Sequence, residues 1–478
     1  MQRSRWTAAY ALLLVVCLVH TGCFNEEPST YYGKSVPPRA QELRWSDGGL
    51  PRTFDPAFAA APPDTDAVRA LFEGLTDYDP QTLAPIPAVA TRWESSHDGR
   101  VWTFYLRDNA RWSNGDKVTA EDFVRSWQRT LKIGPLAPHT ELLSNIEGAT
   151  PTVSQPNSTT NATPHTTDAT PHFGAQALGE NVLQVTLQHA DTTFPALVAH
   201  PVFRPVKLQD AERTKPIESH ELISNGAFQL SAAETDRVRL ERAHNYWDGE
   251  SVSLDRVTFV NTPNPEDALS AYRAGEIDAV TNAGFEPLAL KLLAPYKDFR
   301  RSTFGALTYY VFNVNRAPFD DVRVREALAL AIDRERISRV DLGGATEPAG
   351  RFLPDVMSGE KPVVDKAELL DYDVNKARDL LAAAGYPNGE DFPIVRLLIN
   401  RNEQQRIVAQ SIAAMWRGAL NIETEVVSLS WEDYELAIKA GDYDVVRRGL
   451  VMQTTSEPTN ITMLFARDTQ PAPTPPIA

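Results

Sequence analysis

The chain has 478 residues, which is too long for one simple hydrophobic core and predicts two or three domains. Hydrophobic residues make up 42% of the chain and charged residues 23%, a balance that is ordinary for a soluble globular protein. The 63 Asp and Glu residues outnumber the 47 Lys and Arg residues, which gives a formal net charge of −16. This acidity excludes the basic face that a nucleic-acid partner requires, so we expect no nucleic acid to bind.

The first 23 residues have the layout of a secretory signal. Arg3 and Arg5 precede the apolar run AAYALLLVVCLV, which is too short for a comfortable membrane span, and the letters HTGC follow. Gly22-Cys23 resembles a bacterial lipobox, in which the cysteine is lipidated and becomes the mature N-terminus. We therefore predict a lipid anchor at Cys23 and a location in the periplasm or cell envelope. A plain signal peptide, or an uncleaved anchor, stays open because His20 stands where such motifs usually carry leucine.

Both cysteines of the chain, Cys17 and Cys23, lie in this signal segment. The mature protein would contain no disulfide and no thiol nucleophile, so its stability must come from core burial. Residues 24–40, FNEEPSTYYGKSVPPRA, are polar and rich in small residues. They predict a flexible tether between the lipid and the folded body.

The stretch RWSNGDKVTAEDFVRSWQR at 111–129 combines a turn signal with a helix start. Asn114-Gly115 predicts a tight turn because both residues tolerate positive φ. Thr119 has the position of an N-cap with Asp122 three residues later, which predicts a capped helix. The preceding letters VWTFYL alternate like a half-buried strand. Capping explains the acidic residues here, so the stretch is interpreted as scaffold.

Farther along the chain, residues 149–171 consist almost entirely of Thr, Ser, Pro, Asn and Ala. Such a segment cannot bury enough apolar surface to offset its ordering entropy, and it predicts a mobile surface loop. Strands are predicted in NVLQVTLQHA, DRVTFVN and LTYYVFNVN, with helices between and after them. Strand and helix alternate in the C-terminal third, which predicts an α/β domain. The Pro-rich end at 466–478 is predicted to be disordered.

Motifs of catalysis and of metal binding are absent from the sequence. It contains no G-x-S-x-G elbow, H-E-x-x-H helix, C-x-x-C pair or phosphate loop. The nine histidines, from His20 to His244, show no convincing metal-ligand spacing. Paired carboxylates such as Asp320-Asp321 stand at predicted helix starts, where capping explains them. We expect no catalytic residue, no bound metal and no cofactor.

Several strings in register resemble one family, the bacterial extracellular solute-binding proteins of the oligopeptide-binding type (family 5). The similarity extends from Leu43 to Phe465. The strings that carry it are LFEGLTDYDPQTLAPIPAVATRWESSHDGRVWTFYLRDNARWSNGDKVTAEDFVRSWQR, NGAFQL, ERAHNYWDGESVSLDRVTF, YRAGEIDAV, FNVNRAPFDDVRVREALALAIDRERI and LLAAAGYPNG. The resemblance implies an α/β, two-lobed periplasmic-binding-protein fold of the class II or cluster C type, with an additional smaller α/β domain.

Carried onto this chain, the family pattern implies a division into three parts. The first lobe would be built from 41–62 and 175–285, the additional domain from 63–174, and the second lobe from 286–465. Family members continue well beyond Phe465 and return to complete the first lobe. The C-terminal segment of that lobe is apparently missing here, so either the lobe closes without it or the chain is a truncated member.

Three residues of this chain stand at ligand-contacting positions of the family: Arg447, Trp431 and Asn282. The alternative to ligand binding by Arg447 is a surface ion pair with a nearby acid, Asp442 or Asp444. If Arg447 instead faces the cleft, it can hold a ligand carboxylate.

A departure from the family falls in the segment GLVMQTTSEPTNITMLF. In the oligopeptide binders this segment supplies an aspartate that pairs with the α-amino group of the peptide. Here Leu450 replaces a tryptophan, and Gln453 or Thr454 falls where the aspartate stands. We take Thr454 as a fourth candidate ligand-binding residue.

The resemblance implies a monomeric binding protein, without catalysis of its own, that delivers oligopeptides to the permease complex of an ABC importer in the inner membrane. The family contacts its ligand mainly through backbone groups, like a strand added to a sheet. Because the amine-binding aspartate is absent, two alternatives stay open. The same fold could bind another solute, such as a nickel complex, haem or an opine, or the protein could be a sensor or surface protein without transport.

Overall fold

The computed structural model describes residues 30–34, 40–149, 173–207, 213–262, 264–352, 370–456 and 459–461. The predicted signal peptide with its lipidation site Cys23, the low-complexity run after Ala149 and the Pro-rich end at 466–478 lie outside these ranges. No helix within the described ranges is long and apolar enough to cross a membrane.

Strands in the described residues form three sheets of four or five strands and one two-stranded pair. The strands are β1 (Glu42–Asp47), β2 (Thr76–Tyr78), β3 (Pro85–Pro87), β4 (Ala90–Ser95), β5 (Val101–Leu106), β6 (Ala175–Gly179), β7 (Val182–Thr186), β8 (Phe228–Ala233), β9 (Arg237–Arg242), β10 (Arg256–Val260), β11 (Ala279–Thr281), β12 (Ala306–Phe312), β13 (Val395–Asn400), β14 (Thr424–Leu429) and β15 (Val445–Val451).

Helices connect these strands and cover the sheets. The α-helices are α1 (Asp64–Leu71), α2 (Ala120–Ile133), α3 (Phe194–Leu197), α4 (Pro265–Ala274), α5 (Pro287–Leu293), α6 (Val322–Leu330), α7 (Arg334–Arg336), α8 (Val374–Ala383), α9 (Glu403–Leu420) and α10 (Trp431–Ala440). Their ends follow the local sequence: Gly275 and Gly441 stop α4 and α10 in the left-handed conformation.

The sheet of the first lobe has the strand order β11-β1-β10-β9-β8. Its strand β1 pairs in parallel with both β10 and β11, so that Asp47 lies beside Thr281 where β1 and β11 end. Strands β8, β9 and β10 form an antiparallel meander next to them. The carboxyl ends of the parallel strands therefore meet at one edge of this sheet.

A second sheet, with the order β4-β5-β7-β6, forms the additional domain. Its strand β7 pairs with β5 from Val182 to Thr186, and β6 pairs with β7. Strands β6 and β7 follow the predicted boundary between 174 and 175, and they pair in the sheet whose other strands precede it. Leu183 and Val185 face the same buried side as Phe104 of β5, and this packing holds the two strands in the additional domain.

Helix α2 covers that second sheet and shares its core with the first lobe. The predicted capping box is present, since the Thr119 side chain accepts from the backbone three residues later and Asp122 accepts from the Thr119 backbone. Trp127, buried on α2, lies in one contiguous apolar cluster with Phe104 of the second sheet and Phe259 of the first. The additional domain therefore packs onto the first lobe through a common core.

The sheet of the second lobe has the order β12-β15-β13-β14 and carries helices on both faces. On one face Leu397 packs in a cluster with Ile412 and Trp416 of α9. On the other face Leu398 packs with Tyr434 of α10. This double cover is why the central strand β13 is a nearly continuous apolar run.

Part of the predicted tether is packed against the folded body. The backbone N–H groups of Tyr32 and Gly33 donate to the two carboxylate oxygens of Asp298, each over 2.9 Å. The Tyr32 ring meets Tyr296 edge-on at 5.3 Å, and Lys297 N–H donates to the Thr30 carbonyl. Within the predicted tether 24–40, residues 30–34 therefore pack against the folded body. The Asp298 carboxylate accepts from their backbone N–H groups, and Tyr296 packs against the Tyr32 ring.

Candidate functional site

Arg447 lies on β15 in the sheet of the second lobe, directly opposite Tyr310 of β12. Its guanidinium lies against the backbone of Gly449, where an added Cβ would stand 3.0 Å from Nη2. The glycine thus leaves the space that the arginine side chain occupies.

The two acids that could have paired with Arg447 are taken by other arginines. Asp442 pairs with Arg396 at 2.7 Å, and Asp444 pairs with Arg316 at 3.0 Å. Within the part of the chain that the structure describes, Arg447 forms no ion pair, and its buried Nε atom has no acceptor. The surface ion pair considered from the sequence is therefore not formed.

Tyr310 adds a second unsatisfied polar group at this position. Its hydroxyl is buried and has no hydrogen-bond partner among the described residues. Burial raises the pKa of Tyr310 strongly, against the opposing influence of the Arg447 charge. The phenol therefore stays protonated, so that it can donate a hydrogen bond beside the guanidinium.

Trp431 and Arg447 are brought together through Tyr434. Trp431 is the first residue of α10 and is 62% exposed, and its ring lies 5.6 Å from the ring of Tyr434. The Tyr434 side chain is 1% exposed, and its hydroxyl donates to the backbone carbonyl of Arg447. Helix α10 and strand β15 therefore present an exposed indole and a cation from the same lobe.

Strand β15 is open along part of one edge. It pairs with β12 from Val445 to Val451, but with β13 only at Val445 and Val446. Beyond Val446 the edge that faces away from β12 has no strand partner in the described residues. Such an edge can accept an extended chain as an additional strand.

Asn282 lies on the first lobe, immediately after β11. It adopts a positive φ of 52°, and its side-chain amide donates to Asp47, to which the Thr281 hydroxyl also donates over 2.6 Å. No contact among the described residues joins Asn282 to Arg447 or Trp431. The predicted site residues thus fall on two separate sheets, one in each lobe.

Thr454 is turned inward and is 2% exposed. Its hydroxyl accepts from the Ser456 N–H over 3.2 Å, and its carbonyl accepts from the Asn460 amide over 2.7 Å. The side chain of the neighbouring Gln453 makes a hydrogen bond to a residue outside this turn, since its Oε1 atom lies 3.0 Å from Nε2 of His200. The position of the family's aspartate therefore holds a neutral amide and a hydroxyl that serves the local turn.

His200 and His139 form a buried pair that sequence reasoning missed. Their rings meet edge-on at 4.9 Å, and burial lowers the pKa of His200 to about 3. Nδ1 of His200 accepts from the Val202 N–H, which assigns the ring proton to Nε2 and makes Gln453 the acceptor. No spacing in the sequence signals the hydrogen bond between His200 and Gln453, because 253 residues separate them.

Glu73 is a second buried group that was missed. It is 8% exposed, and it accepts from the Tyr246 hydroxyl and the Trp247 indole N–H, each over 2.7 Å. Burial raises the pKa of Glu73 to about 7. Arg107 lies 3.3 Å above the Trp247 ring. Tyr246 and Trp247 satisfy the carboxylate of Glu73, so we interpret Glu73 as a residue that stabilises the fold and not as one that binds a ligand.

No cluster of three or more His, Cys, Asp or Glu side chains capable of holding a metal ion occurs in the ranges that the structure describes. The candidate site consists of an arginine, a tyrosine hydroxyl, an exposed indole and an open strand edge on the second lobe.

Comparison with protein-family models places these features in context. The model described as bacterial extracellular solute-binding proteins, family 5 Middle, matches residues 84–471. The periplasmic murein peptide-binding protein MppA of Escherichia coli is 33% identical over 424 residues, which cover 87% of this chain and 76% of MppA. The periplasmic oligopeptide-binding protein OppA of Salmonella typhimurium is 31% identical, with 86% of this chain and 74% of OppA covered.

Solved structures give the same result for the fold. The unliganded open form of MppA superposes with a TM-score of 0.71 at 31% identity, covering 90% of this chain and 82% of that chain. OppA of Haemophilus influenzae in complex with the peptide RPPGFSPFR superposes with a TM-score of 0.64 at 27% identity, covering 91% and 85%. The predicted family resemblance and the two-lobed α/β fold are confirmed.

Proposed function

Because the chain belongs to the bacterial extracellular solute-binding proteins of family 5, we propose that it binds oligopeptides between its two lobes. It acts as a binding protein and delivers the peptide to the permease complex of an ABC importer. Relatives whose names and titles state peptide binding support this ligand class.

The observation that carries the proposal is the open edge of β15 beside Arg447. An extended peptide can hydrogen-bond to this edge through its own backbone, whatever its side chains are. Arg447 and the Tyr310 hydroxyl, both without partners in the described residues, can then receive a carboxylate of the peptide. A charge-assisted hydrogen bond of this kind is worth roughly 1.5–3 kcal/mol.

A mixed pool of di- to pentapeptides tests the proposal. We expect the pool to raise the melting temperature of the purified protein, since a ligand that binds only the folded state stabilises it by mass action. A nickel complex, haem and an opine serve as comparison ligands. A shift with one of these and none with the peptides would contradict peptide binding, and no shift with any ligand would favour a role without transport.

We also propose that the protein is held at the membrane by a lipid on Cys23 and works as a monomer. The Gly22-Cys23 pair and the apolar run at 8–19 support the anchor. Replacing Cys23 with Ser is expected to move the protein from the membrane to the soluble exported fraction. An unchanged membrane fraction would identify the apolar run itself as the anchor. Gel filtration of the released protein reports its oligomeric state.

A further inference from the structure

Asp47 is a buried acid whose charge no cation neutralises in the described part of the chain. It ends β1 and is 0% exposed. One of its oxygens accepts from the Thr281 hydroxyl and the Asn282 amide, while Oδ2 receives no hydrogen bond from any described N–H or hydroxyl group. Burying a carboxylate is costly unless a proton, a cation or several donors compensate it.

The neighbour of this carboxylate is a second acid, Asp66, in the first turn of α1. The Asp66 carboxyl lies close enough to that of Asp47 to donate a hydrogen bond to it when Asp66 is protonated, and Asp66 is only partly buried. Burial together with the Asp47 charge raises the pKa of Asp66 to about 6, against the opposing charge of Arg69 one turn later. Below about pH 6, and without a ligand, Asp66 therefore carries a proton.

The pair lies where a ligand can reach it. Asp47 and Thr281 end two parallel strands, and ligands of open α/β sheets bind at the carboxyl ends of such strands. Thr281 and Asn282 are exposed although both donate to the buried Asp47. Space is open around Gly49, two residues after Asp47. Asp66 is therefore the acid that a ligand would touch, with Asp47 behind it.

We propose that Asp47 and Asp66 form the position that recognises an ammonium group of the peptide ligand, at its N-terminus or on a lysine side chain. The ammonium takes the place of the proton on Asp66: below about pH 6, Asp66 releases its proton to solvent on binding, and at higher pH the carboxylate is already ionised and pairs directly with the ligand cation. This inference rests on the proposed peptide binding and names the acids that serve it, since Gln453 and Thr454 carry no charge.

A proton and the ligand's ammonium group then compete for the Asp66 carboxylate, so the affinity for an ammonium ligand should depend on pH. The charged groups that face Asp66 are Asp47 from β1 and Arg69 from its own helix, while Thr281 and Asn282 after β11 are neutral. As the pH falls below about 6 the proton wins. At pH 5 an ammonium ligand should bind about tenfold more weakly than at neutral pH, because one proton competes for the site.

Calorimetry with three tripeptides tests the assignment: Ala-Ala-Ala, N-acetyl-Ala-Ala-Ala and N-acetyl-Ala-Lys-Ala. Wild-type protein should bind at least one of the two peptides that carry an ammonium group about tenfold more tightly than N-acetyl-Ala-Ala-Ala at pH 7.5. That preference should shrink at pH 5, where binding in two buffers of different ionisation enthalpy should show proton release. Asp66→Asn should abolish the preference. Asp64→Asn, in the same helical turn, should keep it.

A preference that survives in Asp66→Asn overturns the inference and leaves peptide binding intact. Failure of wild-type protein to bind any of the three peptides overturns the proposed function, and the inference with it. A second readout uses the wild-type chain, so it does not depend on the folding of a variant. The carboxyl carbon resonance of Asp66 should titrate near pH 6 alone and at a lower pH in the presence of saturating ammonium peptide. An unchanged titration would also overturn the inference.

Discussion

Two arginines, one on helix α2 of the additional domain and one on strand β15 of the second lobe, have opposite surroundings. Arg129 of α2 is 2% exposed and donates to both oxygens of Asp55, while its Nε and Nη2 atoms also donate to the carbonyls of Arg213 and Lys215, respectively. Arg447 of β15 has no acidic partner in the described residues, and its Nε atom lacks an acceptor. A saturated cation stabilises the folded chain, whereas one left unsatisfied can give its hydrogen bonds to a ligand.

The largest expected effect is on stability, at the saturated arginine. Arg129→Ala leaves the Asp55 carboxylate buried without its cation, so it should lower the free energy of unfolding by about 3–5 kcal/mol. Denaturant titration measures this loss. Arg125→Ala, on the exposed face of the same helix, should cost less than about 1 kcal/mol because its pair with Glu121 is solvated. Equal losses of unfolding free energy in Arg129→Ala and Arg125→Ala would show that the buried ion pair stabilises the fold no more than the exposed one.

The next effect concerns Glu73 and has a defined pH window. Its pKa is raised to about 7 in the folded chain, so between pH 4.5 and 7 the folded state binds more protons than the unfolded state. Stability should therefore fall as the pH rises through this window, by roughly 3 kcal/mol from this group, and should stay level above it. Glu73→Gln removes the titrating group, so unfolding curves of the variant should lack this loss. A variant with the wild-type pH dependence would show that another group is responsible.

At the unsatisfied arginine the effect should appear in affinity. Arg447→Ala should weaken binding of Ala-Ala-Ala by about ten- to a hundredfold, the equivalent of roughly 1.5–3 kcal/mol. Its free energy of unfolding should change by less than about 1 kcal/mol, since no ion pair within the described residues is lost. Arg448→Ala, whose side chain pairs with Glu435 at 3.4 Å, is the matched control and should bind the peptide normally.

A C-terminally amidated peptide sharpens that measurement. Because the amide carries no negative charge, wild-type protein and Arg447→Ala should bind it with nearly equal affinity. If Arg447→Ala binds the free acid as tightly as wild-type protein does, the arginine does not receive the carboxylate and the proposed site is wrong.

The smallest effect is expected at Tyr310. Tyr310→Phe removes a buried hydroxyl that has no partner in the described residues, so stability should stay constant or rise by up to about 1 kcal/mol. Affinity for Ala-Ala-Ala should fall by about fivefold, because one neutral donor to the carboxylate is lost. Tyr309→Phe, on the opposite side of the strand, should leave affinity unchanged. A marked loss of stability in Tyr310→Phe would mean that the hydroxyl has a structural partner.

Local sequence signals predicted much of the fold. The capping box at Thr119 and the turn at Asn114-Gly115 are set by residues a few positions apart, and both occur as predicted. The boundary at 174/175 was implied by the family pattern, and β6 and β7, which follow it, pair with β5, which precedes it. Pairing between β5 and β7 depends on residues far apart in the chain, which local patterns do not reveal.

The site was predictable only where the family motif carried it. Arg447 and Trp431 do lie in one lobe, joined through Tyr434, and their role in binding stays a prediction. Glu73 and its donor Tyr246 are 173 residues apart, and no motif links them. The same holds for Asp47 at the end of β1 and Asp66 in the first turn of α1, which are far apart in the sequence and influence each other only in the folded chain. Buried polar groups of this kind are recognised by counting their partners in the folded chain.

Hydrogen exchange of the β15 amides tests the central claim most directly, namely that a peptide adds to the open edge of this strand. The account predicts that amides within residues 448–451 that exchange in the free protein become protected when Ala-Ala-Ala is saturating, while the buried amides of β13 stay unchanged. A peptide that binds by calorimetry and yet leaves the exchange of residues 448–451 unaltered would contradict it.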